Sequence, residues 1–197
     1  MKKIFLLSTF TCAALILSAQ VSDLVLYNQK RLNTNKTAMT ILGAWAVGNI
    51  AVGATLQGKN KGTEAQYFHR MNAYWNVVNL GLAAAGLYAA TKGDPASYDA
   101  FQTVQEQHKI QKVLLFNAGL DVGYVMAGFY LLERGKNSLK NQERLRGFGK
   151  SLILQGAFLF LFDWVVFATH ASRNEGLRQF IGGLSFNGDA VGWNMVF

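Results

Sequence analysis

A chain of 197 residues with 51% hydrophobic and only 15% charged side chains has the length of one domain. It carries too few charges to clothe a soluble globule, where about a quarter of residues are charged. The net charge of +8 comes from lysines and arginines scattered beside apolar segments, a pattern that argues against a nucleic-acid-binding face.

Residues 1–19, MKKIFLLSTFTCAALILSA, have a basic start, an apolar run from Ile4 to Leu17 and a small residue before Gln20. This is the anatomy of a secretory signal peptide cleaved near Gln20; the alternative is an uncleaved anchor that adds a fifth span. The one cysteine, Cys12, lies inside this run, so the mature chain is expected to hold no thiol, disulfide or cysteine metal site. Residues 20–37 read as an amphipathic N-terminal helix capped by Ser22, with Leu24 and Tyr27 turned to the membrane surface.

Four near-uncharged segments follow, 38–56, 72–91, 113–132 and 152–170, each about the 20 residues that a bilayer requires. They predict an all-α fold: an integral membrane four-helix bundle behind a cleaved signal peptide, with a short extramembrane C-terminal tail. The rival is a soluble helical bundle exported to the periplasm, but these segments lack the charged outer face it would need. The connection between the second and third segments contains the only proline, Pro95, and a polar run, DAFQTVQEQHK, expected to prolong the third helix outward. The tail, 171–197, is expected to be extracytoplasmic, with a hairpin around Asn187-Gly188. With the signal removed, both termini lie outside the inner (cytoplasmic) membrane of a Gram-negative envelope. Arg134, Lys136, Lys140, Arg144, Arg146 and Lys150 then fall on the cytoplasmic side.

The stretch FHRMNAYWNVVNL places His69, Asn72, Asn76 and Asn79 three or four residues apart, on one helical face. The third segment carries Asn117, Asp121 and Tyr124 on one face, the fourth carries Asp163 and His170 seven apart, and the first supplies Asn49. Asp121 lies eight residues past Val113 and Asp163 seven before His170, so both carboxylates sit about 10–12 Å below the outer interface at 1.5 Å per residue. Charges at such depth cost at least about 2.5 kcal/mol and face a bundle interior.

Two readings of that interior stay open. In one, the amides and acids are interhelical glue. In the other, Asp121 and Asp163 share a proton or bind a cation or small polar ligand, reached past Asn117 and His170, with Tyr124, Asn49, Asn76 and Asn79 around them. The expected function is binding or passage of a small polar species, cation or proton. The alternatives are a structural or interaction protein without a ligand, whose work lies in the basic loop 133–150, and a membrane-embedded enzyme.

Two further patterns carry less weight. Val47-Gly48 with Gly53 recurs 75 residues later as Val122-Gly123 with Gly128, an echo that two copies of a helical hairpin would produce. Gly119 and Gly123 form a GxxxG pair, read as helix packing. His108 and His170 lack a third ligand, so no metal and no cofactor is expected. No phosphate loop, GxSxG elbow or HExxH motif is present. The partners expected are membrane lipid and a small polar ligand or cation, with no nucleic acid; a homo-oligomer is left open.

The stretches AWAVGNIAVG, YFHRMNAYWNVVNLG, NAGLDVGY and ILQGAFLFLFDWVVFATH resemble an uncharacterised family of small helical membrane proteins, a domain of unknown function found in Gram-negative bacteria, over roughly residues 22–175. The resemblance implies a four-helix membrane bundle and brings no catalytic residue.

Overall fold

Pro95 interrupts none of the apolar runs, and each run closes its own backbone hydrogen bonds as helix. The computed structural model describes residues 2–59, 61–181, 184–187 and 190–193, with side chains over 22–59 and 61–177. Four long helices, α1 (Lys2–Leu56), α2 (Glu64–Lys92), α3 (Ala100–Lys136) and α4 (Gln142–Ala171), precede a short α5 (Asn174–Ile181). Strands β1 (Leu184–Asn187) and β2 (Ala190–Trp193) form an antiparallel hairpin in which Asn187 pairs with Ala190, as the Asn187-Gly188 signal predicts.

Local chemistry sets the helix ends. Thr63 caps α2 by accepting from the Gln66 amide. Asp99 and Gln102 form a reciprocal capping box at α3. That box starts α3 thirteen residues before Val113, so DAFQTVQEQHK does prolong the helix beyond the apolar run. Residues 20–37 are not a separate surface helix but part of an unbroken α1. Tyr27, Asn28, Arg31 and Leu32 are buried, because α3 and the turn before it supply partners that a membrane surface would not. Asn28 donates to Thr103 at 2.8 Å and Arg31 stacks over Tyr98.

The helices pair as two hairpins, α1 with α2 and α3 with α4, joined along an α2–α4 seam, while α1 and α3 scarcely touch. Missing side chains make the close contacts. A Cβ on Gly53 would stand 2.6 Å from the His69 carbonyl oxygen, and one on Gly128 2.7 Å from that of Gly149. Gly119 and Gly123 have nothing within 4 Å. The GxxxG pair therefore does not pack inside the bundle, because α3 turns Leu114, Ala118, Asp121 and Gly128 inward and these two glycines outward.

The polarity is inverted relative to a soluble protein. Asn72, Asn76, Asn79, Gln107, Asp121, Ser151, Gln155, Asp163 and His170 are buried, while Val78, Leu82, Phe116, Met126, Leu161 and Val165 are exposed. Three helical stretches, Ser22–Leu56, Ala100–Lys136 and Gln142–Leu177, are long and apolar enough to cross a membrane. The sequence places a fourth span at 72–91. α2 covers it, but its asparagines lower its mean hydropathy and it is not among the three. Those asparagines all point inward, and the outer face of α2 is Val77, Val78, Leu82 and Tyr88.

Candidate functional site

Asp121 and Asp163 are brought level by a glycine. Gly156 on α4 packs where a Cβ would stand 2.9 Å from the Asp121 carbonyl oxygen, so α3 and α4 approach closely there and present their carboxyls to one another. Asp121 is 3% and Asp163 6% exposed, and the two groups lie within hydrogen-bonding reach of each other. Two ionised carboxylates can only accept, so a hydrogen bond between such groups requires a proton on one of them. Oδ2 of Asp121 is buried and receives no donor from the described residues.

Both acids line a cavity of about 280 Å³ between the two hairpins, together with Asn79, Asn117, Tyr124 and Trp75. Leu42, Leu82, Leu120 and Phe162 complete an apolar wall. Trp75 meets Tyr124 edge to face at 4.7 Å, and its buried Nε1 has no partner among the described residues. The wall thus offers an unsatisfied acceptor and an unsatisfied donor, beside a carboxyl pair. Buried polar groups are nearly always bonded, so such a pairing marks a place suited to a proton, a cation or a small polar molecule.

The remaining residues singled out from sequence fall elsewhere. Asn49 and Asn76 belong to an amide network centred on Gln155, away from the cavity. Gln155 accepts from Trp45 Nε1 at 3.0 Å and donates to Asn72 at 3.1 Å and to Asn49 at 3.3 Å. Ser151 donates to Asn72 at 2.6 Å. Asn76 bonds the Asn72 carbonyl and receives Asn79, which links this network to the cavity. These groups satisfy one another and tie α1, α2 and α4 together.

His170 forms a third cluster and does not line the cavity that holds the acids. It is fully buried, with one ring nitrogen 3.3 Å from Gln107 Oε1 and the other 3.0 Å from Asn35 Oδ1. Gln107 also donates to the His170 carbonyl, and Asn174 joins Gln107 and Gln111. The start of the tail is therefore fastened to the bundle.

Sequence reasoning passed over Gln155, Ser151 and Trp75 as site residues. A usable signal existed for the first two: Ser151, Gln155 and Asp163 are four and eight residues apart, one face of α4. At the opposite end, Glu64 binds Arg146 at 2.9 Å and also Lys150, and Glu143 accepts from the Glu64 amide. This ion cluster joins the start of α2 to the start of α4.

A comparison with curated proteins and with solved structures returned no match. A family model, however, matches residues 41–164, an interval that holds both aspartates, the amide network and the glycine contacts but ends before His170. The chain belongs to that family, a family of unknown function (DUF6992).

Proposed function

We propose that this protein is an integral protein of the inner membrane, with its leader removed and both termini extracytoplasmic, whose Asp121–Asp163 cavity holds and passes a proton or a small cation. The observation that carries the reading is the pair of buried carboxyls lining one cavity, with an oxygen that no donor among the described residues satisfies. Membrane residence is supported by the inverted polarity and the three apolar helices. The amide network favours a purely structural role for Asn49, Asn72, Asn76 and Gln155, whose groups bond one another. Glue and site are therefore separate layers of one interior.

The test has two parts. Infrared difference spectra across a pH titration should show a carboxyl band in the wild type that is absent from Asp121→Asn and from Asp163→Asn. In liposomes under an imposed potential, the wild type should pass protons or a monovalent cation and both variants should not, with helicity unchanged. Wild-type and variant proteins with the same spectra and the same flux would remove the reading.

A further inference from the structure

Arg31 is 2% exposed, and among the described residues no carboxylate pairs with it. Its Nε and Nη2 donate to the single oxygen of Asn28, and its guanidinium lies 4.6 Å from the Tyr98 ring centre. The buried hydroxyl of Tyr27, without a partner among the described residues, stands close enough to feel this charge. A buried cation with neutral neighbours is expensive unless an anion completes it.

The same arginine lines the upper end of a groove of about 400 Å³. Below it the wall is almost wholly apolar, including Leu32, Met39, Leu82, Ala89 and Val113, down to a floor near Asn117 and Asp163. Its exposed lining residues are Leu82 and Ala89 on α2 and Lys109 and Val113 on α3, so the groove opens between these two helices, which scarcely touch. Lys109 and Glu106 stand at its rim and neutralise each other at 3.4 Å, which leaves Arg31 as the unpaired charge at the upper end, with Asp163 at the floor. Arg31 is seven residues before Ala38, about 10 Å beyond the apolar run and hence in the headgroup layer, while the groove wall descends through the hydrocarbon.

We infer that this groove is a binding site for an anionic phospholipid, with the phosphate on Arg31 and one acyl chain along the apolar wall. The inference rests on the membrane reading but not on the carboxyl pair. Charge and depth both select this occupant: a guanidinium is suited to phosphate, and an apolar channel under it is suited to a chain.

The experiment is native mass spectrometry of the purified full chain, offered equal amounts of phosphatidylglycerol and phosphatidylcholine. The wild type should retain phosphatidylglycerol in preference by about tenfold, the worth of one charge-assisted contact. Arg31→Gln should erase the preference. Ala89→Phe, which fills the groove from an exposed position, should reduce retention of both lipids. Asp121→Asn should keep the preference, which separates this site from the carboxyl pair. Equal retention of both lipids by the wild type, or an undiminished preference in a folded Arg31→Gln, overturns the inference. Should Arg31→Gln fail to fold, unchanged retention in Ala89→Phe overturns it equally.

Discussion

Gln155 accepts from α1 and donates to both α1 and α2, so one substitution there strips partners from two helices. Interhelical hydrogen bonds in membranes average about 0.6 kcal/mol each, and Gln155→Leu also leaves Trp45 Nε1 unpaired, at about 1–3 kcal/mol. A loss of about 2 kcal/mol is expected, read by denaturant titration in mixed micelles. Asp121→Asn is the contrast. Its Oδ2 receives no donor among the described residues, and an amide facing Asp163 supplies a proton the pair otherwise has to hold, so stability should fall by clearly less than in Gln155→Leu. If Asp121→Asn unfolds the protein as readily as Gln155→Leu does, the acids are glue after all. At this scale the asparagine stripe of α2 is legible in sequence, because three buried amides at helical spacing leave a period. Arg31 is not, because a lone arginine in a polar run has none, and only Tyr98 and Asn28 show that it turns inward.

For helices, small residues announce close contact without saying which neighbour is near. Gly128→Val would drive a Cβ against Ile153 and the Gly149 carbonyl. Backbone on α4 cannot yield as a side chain can, so α3 and α4 must separate, at a cost of about 1–3 kcal/mol or more. Gly123→Val meets nothing within 4 Å and should leave the same micelle titration unmoved. The faint echo between the hairpins reappears here: Gly53 and Gly128 are both at tight crossings, and Gly48 and Gly123 are both open. Seven residues before each tight glycine stand Ala46 and Asp121. Ten residues after the facing residues, Ala73 and Ile153, stand Ala83 and Asp163. All four of these positions are buried. One hairpin thus holds two alanines where the other holds its two acids. Spacing within each half is legible from sequence; which side of α3 carries the contact is not, because GxxxG and Gly128 compete and only packing decides.

At the scale of the whole molecule, sidedness is the first thing to establish. With Cys12, the one cysteine of the sequence, replaced by serine, single cysteines at Ala96 and Lys140, both exposed, can be labelled against an empty background. A membrane-impermeant maleimide should reach Ala96→Cys from outside intact spheroplasts and Lys140→Cys only after lysis; the reverse pattern would invert the protein. The four-helix architecture is legible from length and charge alone, whereas the order of packing is not. The hairpins meet along α2 and α4, and α1 is tied to α3 at one end by the Asn28–Thr103 bond, whereas α2 and α3, which wall both cavities, scarcely touch. The molecule is in this respect a book bound along one spine. Its open side gives onto the room in front of the carboxyl pair, while the pair itself belongs to the α3–α4 leaf, where the Gly156 contact and not the opposite leaf brings the two helices together.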